Sequence, residues 1–439
     1  MTAEPAREAV VEKLVEGGLG LARDDGKTLF VPYVAPGERI RYEAWREHSR
    51  RTEGRLIEVL SASEDRVDTP CPVYGACGGC QLQHLAAAAQ LAAKRSIAIE
   101  TLDRLGGIVF VDPPPIEPAP APFGYRHRAT VHIDWTRDPP AVGFHRFRSH
   151  ETIDLSACPL LLPALNDALG RVRDALVPRA AGAQPPRAEI VAGDDGRVEV
   201  AFGVLPAPRG IERERLLAAA AEWPALRGLY WENEPGVFEI LRASGEPLGY
   251  TVPDAGGAER RISFDVRAFT QANLAANRSL VEALLAATAD VDGARLLDLY
   301  GGCGNFSVPL LPRLAAAHLV DSSAPALAHA EGNARAAAPL APVDVSLGRC
   351  EAVLERLVDA GARFDVVLLD PPRSGATGAL RSLARLAPPL IVYVSCNVPT
   401  LARDLRSLLR EGYTLSSIRL FDLYPQTAHI EALAVLHRA

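Results

Sequence analysis

The sequence of 439 residues has no long apolar run, only three lysines and a single methionine. No apolar stretch approaches the roughly 18 residues that a membrane-spanning helix needs, so we expect no such helix. Residues 1–14 have no basic region followed by an apolar one, so we expect no secretory signal and a cytoplasmic location. The net charge of −7 argues against a protein whose whole surface binds nucleic acid, but a local basic face is compatible with this charge.

The seven cysteines do not suggest a disulfide framework. Their number is odd, and three of them, Cys71, Cys77 and Cys80, form a C-x5-C-x2-C cluster. In a reducing compartment such a cluster indicates metal ligands or a nucleophile rather than disulfides. The spacing alone fits a zinc ion in a four-cysteine site as well as an iron–sulfur cluster.

The length allows about three domains, and three regions differ in their patterns. Residues 1–65 contain short β runs separated by turns, which predicts a small OB-like barrel with strands near Thr28–Val34, Arg39–Trp45 and Thr52–Leu60. Residues 66–255 mix helical and β signals around the cysteine cluster. Residues 256–439 alternate strands with helices, which predicts a doubly wound parallel α/β sheet with strands at Arg295–Leu299, His318–Val320, Asp365–Leu369 and Leu390–Val394.

Two stretches combine arginines with aromatic residues. Between Arg39 and Arg55 there are six arginines and three glutamates, with Tyr42 and Trp45 among them, a composition that suits an RNA-binding track or a solvated strand face equally. A second patch contains Arg126 and Arg128 in FGYRHR and further arginines in FHRFR. Such residues are candidates for holding an unstacked RNA strand, and the alternative is again a solvated pair of strands.

A glycine-rich turn follows the first strand of the C-terminal region. Leu296–Phe306 reads LLDLYGGCGNF, so a buried strand ends in a loop that lets a ligand approach the backbone. A dinucleotide fingerprint would need glycine where Ser307 stands, so that motif fails. Asp321 ends the next strand, in a position to take ribose hydroxyls. These features favour S-adenosylmethionine (SAM) over a dinucleotide.

The run Phe364–Arg373 brings an acid to the edge of the same sheet. It reads FDVVLLDPPR, so a buried strand leads to Asp370, and two prolines then keep the chain rigid. Methyltransferases that act on exocyclic amines have an aromatic residue after such prolines. Arg373 stands there, which argues against amine methylation.

The next strand ends in a thiol, Cys396, at the same edge. Uracil C5 is a poor nucleophile, but addition of a thiolate at C6 gives an enolate whose C5 can attack a methyl sulfonium. The C5 proton must then leave before the thiolate is eliminated, and this step requires a general base. Cys396 is the candidate nucleophile and Glu431, in PQTAHIE, the candidate base; the alternatives are a buried strand-end cysteine and a solvated acid.

Together these motifs resemble the RNA uracil-C5 methyltransferases of the class I, iron–sulfur-containing kind. The resemblance covers nearly the whole chain and rests on CPVYGACGGCQLQHL, FTQAN, LDLYGGCGNF, DPPR, SCN and PQTAHIE. It implies a TRAM barrel at 1–65, an α+β iron–sulfur central domain at 66–255 and a Rossmann-like methyltransferase domain at 256–439. It also implies a [4Fe–4S] cluster whose ligands are Cys71, Cys77, Cys80 and Cys158.

The resemblance implies roles for single residues as well. Cys396 matches the nucleophile, Glu431 matches the base, and Phe269 is expected near the flipped uracil. The positions that match SAM-holding residues are Gln271, Tyr300, Asn305, Asp321 and Asp370. The family usually has proline directly after the SCN motif, whereas Val398 stands there and Pro399 follows, so we expect the loop after the nucleophile to sit differently.

The implied reaction is methyl transfer from SAM to C5 of a uridine in 23S rRNA. Ribosomal RNA is favoured because relatives that modify the T loop of tRNA generally lack both the TRAM barrel and the cysteines. Methylation of tRNA is the alternative. A SAM-dependent enzyme acting on another base atom and a non-catalytic RNA-binding protein are further alternatives. The expected partner is ribosomal RNA or a ribosome assembly intermediate, and a monomer is the default.

Overall fold

The structure is a computed structural model that describes residues 6–176, 187–203, 210–337 and 341–439. Its first strands are β1 (Arg7–Val15), β2 (Leu19–Asp24), β3 (Lys27–Val31), β4 (Arg39–Glu47) and β5 (Arg51–Ser61). They form a closed barrel in the order β1-β2-β3-β5-β4, with β3 and β5 parallel and the other neighbours antiparallel. One face of each strand supplies the apolar interior, as barrel closure requires.

The cysteine-containing loop separates this barrel from the first helix. The helix α1 (Ala87–Thr101) continues into a π-helical turn, Leu102–Gly106, and is followed by the two-residue strand β6 (Ile116–Glu117). The helix begins only at Ala87, because the backbone amides of Gln81 and Leu82 donate to the distant carbonyl oxygen of Gln426.

The central region is built on an antiparallel sheet with one parallel pair. Its elements are β7 (Arg128–Asp134), β8 (Ala141–His145), β9 (Thr152–Asp154), α2 (Pro163–Ala175), β10 (Arg187–Ala192), β11 (Val198–Gly203), α3 (Ile211–Ala221), β12 (Leu226–Glu234) and β13 (Val237–Ala243). In the described part of the chain the strand order is β13-β12-β11-β10-β7-β8-β9, and β11 and β12 are the parallel pair. The apolar side of α2, with Leu165 and Leu169, packs on this sheet.

A hairpin leads into the C-terminal sheet. The hairpin strands are β14 (Leu248–Pro253) and β15 (Glu259–Phe264). The sheet strands that follow are β16 (Arg295–Leu299), β17 (Ala316–Asp321), β18 (Val343–Leu347), β19 (Val366–Leu369), β20 (Leu390–Ser395), β21 (Tyr413–Phe421) and β22 (Glu431–Arg438). The order over the described residues is β18-β17-β16-β19-β20-β22-β21-β6.

The first five strands of this order are parallel, as predicted. The strand β22 runs antiparallel to both of its neighbours, β20 and β21. The strands β16, β19 and β20 are buried on both faces, which explains their continuous apolar sequences. The helices of this region are α4 (Leu274–Ala287), α5 (Ser307–Leu310), α6 (Ala324–Ala336), α7 (Cys350–Asp359), α8 (Leu380–Leu386) and α9 (Val398–Arg410). Among the described residues no helix has the length and apolar character to cross a membrane.

Candidate active site

The glycine-rich loop after β16 has a backbone geometry that lets a ligand come close to the main chain. Tyr300, Gly302 and Gly304 have φ values of 65°, 54° and 86°. A Cβ added at Gly304 would lie 2.6 Å from a methyl group of Val308, so this position requires glycine. The amide N–H of Gly302 donates to Asp321 Oδ2 at 2.9 Å, which joins the loop to the end of β17. The loop and the predicted ribose-binding acid therefore lie side by side.

Two carboxyl groups lie at the ends of neighbouring strands, Asp298 buried and Asp370 half-buried. Burial raises the pKa of Asp298, in β16, and of Asp370, after β19, to about 7. The charge of Asp298 raises the pKa of Asp370 further, and a hydrogen bond of 3.2 Å from Gln271 Nε2 to Asp370 Oδ2 opposes this. Sequence reasoning gave no role to Asp298, although an acid inside the apolar run LLDL was a signal that it serves a site.

The side chain of Asn305 is engaged within the protein. Its oxygen accepts hydrogen bonds of 2.8 Å from Tyr250 Oη and from Asn277 Nδ2, and its nitrogen donates to Asn277 Oδ1 at 2.9 Å. These contacts join the glycine-rich loop to α4 and to the hairpin strand β14. Whether Asn305 also contacts SAM stays a prediction.

Strand register places the candidate nucleophile beside the candidate base. The strands β20 and β22 are antiparallel neighbours in which Ser395 pairs with Ala432. One residue further along the chain in β20 and one residue back in β22, the same register sets Cys396 opposite Glu431. Glu431 is fully buried, and neither of its oxygens has a hydrogen-bond partner among the described residues. Burial and the neighbouring Asp370 raise the pKa of Glu431 well above its ordinary value.

Burial also raises the pKa of the Cys396 thiol, to about 11, and the charges of Glu431 and Asp370 add to this effect. The guanidinium of Arg373 acts in the opposite direction on both Cys396 and Glu431. The arrangement favours the protonated forms of both groups until a substrate arrives. Arg373 in the DPPR motif therefore lies where it can favour the thiolate.

The loop after Cys396 is a well-formed helix start. Asn397 is the N-cap of α9, and its side-chain oxygen accepts a hydrogen bond of 3.1 Å from the amide of Thr400. Pro399 occupies the second helical position, where its missing N–H has no intrahelical partner to lose. The exchange of proline and valine after the SCN motif is therefore compatible with a capped helix.

Cys396 opens onto a cleft between three regions of the protein. The cleft has a volume of about 520 Å³. Its walls include Arg373 and His429, whose Nη2 and Nε2 atoms are 3.1 Å apart, together with Phe147 of the central region and Glu16 of the barrel. The barrel and the central region thus form the entrance to the candidate catalytic centre.

The segment with Phe269 and Gln271 is held by a buried arginine. Arg128 is 8% exposed, and its guanidinium donates to the carbonyl oxygens of Val266 and Ala268. It also donates to Thr270 Oγ1 and pairs with Glu189. The prediction that Arg128 contacts RNA is therefore corrected, because its donors face the protein interior.

Phe269 and Arg126 have surroundings different from that of Arg128. The Phe269 ring is 65% exposed, whereas Gln271, two positions later, is buried. Arg126 is half-buried, and its Nε donates to the carbonyl oxygen of Arg128 at 2.8 Å. An exposed ring beside the site fits contact with a base, and this role of Phe269 stays a prediction.

The four predicted ligand cysteines lie around one cavity. It has a volume of about 190 Å³, and its lining includes Arg126, Cys71, Cys77, Cys80 and Cys158. None of the four thiols forms a disulfide. The described residues contain no group of three or more His, Cys, Asp or Glu already close enough to hold a single metal ion. Four free thiols around a void are a donor set that fits an iron–sulfur cluster.

Known proteins align with almost the whole chain. A 23S rRNA (uracil(1939)-C(5))-methyltransferase RlmD from Pectobacterium atrosepticum is 32% identical, covering 99% of this chain and 94% of the relative. Enzymes of the same name from Halomonas elongata and Edwardsiella ictaluri are 34% and 35% identical, cover 99% and 96% of this chain, and match over 90% and 93% of their own length. The chain belongs to the RNA uracil-C5-methyltransferase family.

Two family models match separate segments of the methyltransferase. The model for tRNA (Uracil-5-)-methyltransferase matches residues 256–439, and that for the TRAM domain of tRNA (uracil(54)-C(5))-methyltransferase matches residues 8–63. The crystal structure of Pyrococcus abyssi tRNA (uracil-54, C5)-methyltransferase with S-adenosyl-L-homocysteine has a TM-score of 0.72 and 25% identity, covering 98% of this chain and 100% of that one. The methyltransferase thus has a class I fold with an N-terminal TRAM barrel and uses SAM.

Proposed function

We propose that the methyltransferase transfers a methyl group from SAM to C5 of a uridine in 23S rRNA. The observation that carries this proposal is the β20–β22 register, which sets a half-buried thiol opposite a buried, unpaired carboxyl group at the edge of a class I sheet. The rRNA substrate is favoured because relatives with that activity align end to end at 32–35% identity. The tRNA substrate is the second candidate, because the structural neighbour from Pyrococcus abyssi acts on tRNA.

The proposed reaction begins at Cys396. Its thiolate adds to C6 of the uracil, so the S–C6 bond forms and the electron pair of the C5–C6 double bond becomes part of an enolate. When bound, SAM supplies the methyl group as an electrophile. C5 of the enolate takes this methyl group, and S-adenosylhomocysteine is left.

Glu431 is proposed to complete the reaction. Its carboxylate removes the remaining proton from C5, the C5–C6 double bond forms again, and the Cys396 thiolate leaves C6. The neighbouring Arg373 favours the thiolate form at both the first and the last step. Once ionised, the carboxyl group of Glu431 is a strong base because its pKa is raised, and it has no hydrogen bond that must break before it accepts the proton.

SAM is proposed to lie along the carboxyl ends of β16, β17 and β19. The open backbone of the glycine-rich loop would face the nucleoside, and Asp321 would accept hydrogen bonds from the ribose. Asp370 and Gln271, already hydrogen-bonded to each other, would face the sulfonium side. Tyr300, whose hydroxyl lies 3.2 Å from Glu351, would close the other side of the loop, and Asn305 would support it.

We further propose three domains with the boundaries 1–65, 66–255 and 256–439. The [4Fe–4S] cluster would be held in the central domain by Cys71, Cys77, Cys80 and Cys158, where it would link the cysteine loop to the segment after β9. Phe269 and Arg126 would contact the RNA near the flipped uridine. We expect the protein to act as a monomer on ribosomal RNA or on a ribosome assembly intermediate.

The test is a double-label assay on the anaerobically purified protein. Methyl-labelled SAM is combined with unmodified 23S rRNA, or with tRNA, that has tritium at uracil C5. We expect methyl incorporation into 23S rRNA with equal tritium release, and loss of both signals in Cys396→Ala. Incorporation without release would show that another atom is methylated, and activity on tRNA alone would assign the enzyme to the second substrate.

A further inference from the structure

Residues 422–430 connect β21 to β22, and we call them the 422–430 loop. Its base is closed where Phe421 pairs with Glu431. Two of its side chains face the candidate site: Tyr424 Oη lies 3.5 Å from Gln271 Oε1, and His429 contacts Arg373. Gln426, near the tip, has a φ of 71°, which non-glycine residues rarely adopt, so contacts from outside the loop are needed to hold this shape.

One of those contacts is a buried lysine. Lys94 is one of three lysines in the protein and has 0% exposure. Its Nζ atom donates to Asp422 Oδ1 at 2.6 Å and to the carbonyl oxygen of Tyr424 at 3.1 Å. A buried ion pair adds little to stability compared with apolar packing, but it fixes a specific arrangement because a misplaced charge is costly. Here the arrangement it fixes is the first turn of the 422–430 loop.

A pair of amides holds the tip of the loop from the same helix. Gln90 Nε2 donates to Gln426 Oε1 at 2.9 Å, and the Gln426 amide N–H donates to Gln90 Oε1 at 3.0 Å. The amides of Gln81 and Leu82 both donate to the carbonyl oxygen of Gln426, at 3.1 and 2.9 Å. The tip is therefore bound by residues that follow the cysteine loop directly in sequence. It is also held from Pro122, whose carbonyl oxygen accepts from Gln426 Nε2 at 3.4 Å, and from Tyr125, whose Oη donates to the carbonyl oxygen of Pro425 at 2.9 Å.

We propose that Lys94 and Gln90 are positioning residues, which hold the 422–430 loop so that Glu431 stays within reach of C5 when its proton leaves. Neither residue contacts Cys396 or Glu431. They act through the loop, whose last residues precede the base directly. This inference rests on the proposed function, and it assigns to the segment after the cysteine cluster a part in the last chemical step.

The expected consequence of loosening the loop is a selective delay. The loop reaches Gln271 and Arg373 through one side-chain contact each, whereas Glu431 follows the loop directly, so thiolate addition and methyl transfer should be affected less than proton removal. Proton removal from C5 should lag, and the methylated RNA should stay covalently attached to Cys396. A residue that only stabilises the fold would instead slow both steps in equal proportion.

The experiment is a single-turnover assay of the full-length holoenzyme with methyl-labelled SAM and RNA tritiated at uracil C5. In Lys94→Met and Gln90→Leu we expect tritium release to be about 10- to 100-fold slower than methyl transfer, with the methyl label in an SDS-stable protein–RNA adduct. Lys27→Met is the matched control, since Lys27 pairs with Glu47 at the surface of the barrel. In wild type and control, release should keep pace with methyl transfer.

A second variant covers the possibility that Lys94→Met does not fold. Lys94→Met combined with Asp422→Leu removes both buried charges, which avoids an unpaired carboxylate but still removes both hydrogen bonds by which Lys94 holds the loop, so that the Tyr424 carbonyl keeps only its donors from Thr427. The positioning role would be overturned if, in this variant and in Gln90→Leu, methyl transfer and tritium release were slowed equally. It would also be overturned if tritium release kept pace with methyl transfer in both variants. Failure of wild type to release tritium would instead refute the proposed function.

Discussion

Glu58 of the TRAM barrel and the carboxyl groups of the catalytic edge occupy opposite environments. In the barrel, Glu58 faces solvent and accepts a hydrogen bond of 2.6 Å from Arg41. At the catalytic edge, Asp298 and Glu431 are buried and Asp370 is half-buried, and Glu431 has no hydrogen-bond partner among the described residues. The barrel acid is hydrated and paired, whereas the acids of the edge are kept close together away from water.

This difference shows that an acid of this protein is identified as reactive by its lack of hydrogen-bond partners and of hydration, and not by its residue type. Burial of several acids together disfavours their charged forms and so opposes folding at neutral pH. A protein retains such a group where the chemistry needs a base or a negative field. The contrast can be tested by making the same glutamate-to-glutamine change in both regions.

The largest effect is expected for Glu431→Gln. Because the amide cannot accept the C5 proton, turnover should fall about 10²- to 10⁴-fold, with the covalent adduct as the accumulated species. The folded-state pKa of Glu431 is raised, so this carboxyl group opposes folding increasingly as pH rises above its unfolded value. Relative to wild type, the variant should therefore gain stability between pH 5 and pH 8. Denaturant unfolding at both pH values, together with the turnover assay, checks this prediction.

A loss of stability that grows with pH in Glu431→Gln would contradict the assignment. It would mean that Glu431 is ionised and favourably paired in the folded protein. The same loss accompanied by unchanged turnover would place the base elsewhere, with Asp370 the nearest alternative acid.

The parts of this contrast that sequence could predict are those encoded locally. The strand Arg295–Leu299 was predicted at its observed bounds, and Asp370 was expected at the edge of the sheet, because parallel strands buried on both faces have continuous apolar runs. The strands β1 and β2 were missed, and the pairing of β1 with β4 across the barrel depends on the tertiary fold. The pairing of Lys94 with Asp422 joins residues 328 positions apart, and no local pattern reports it.

Burial of Arg128 was unpredictable for a similar reason. Its sequence neighbours are basic and aromatic, which is typical of a surface that binds RNA. The carbonyl groups that bury it belong to residues 266 and 268, in a segment about 140 positions later in the chain. Only the tertiary fold distinguishes this arginine from Arg126.

A smaller effect is expected for SAM binding as a function of pH. Asp298 and Asp370 have pKa values raised to about 7, so they are mostly protonated at pH 6 and mostly ionised at pH 8. Ionised carboxylates attract the positive sulfonium of SAM but not the neutral sulfur of S-adenosylhomocysteine. The affinity for SAM relative to S-adenosylhomocysteine should therefore rise about tenfold from pH 6 to pH 8.

Isothermal titration calorimetry at several pH values measures this ratio directly. Asp370→Asn should reduce the rise, because only Asp298 then ionises in this range. A ratio that does not change between pH 6 and pH 8 in wild type would show that these acids do not face the sulfonium.

The smallest effect is expected for Glu58→Gln in the barrel. Its ion pair with Arg41 is exposed and screened by salt, so the free energy of unfolding should change by less than about 1 kcal/mol. At pH 8 Glu58→Gln should lose stability relative to wild type. For Glu431→Gln the stability relative to wild type should instead rise from pH 5 to pH 8. A loss above about 2 kcal/mol, measured by denaturant unfolding, would place Glu58 in a network beyond one surface pair. Because both variants replace the same carboxylate with the same amide, opposite signs would show that the environment of each acid determines whether it stabilises the fold or is available for chemistry.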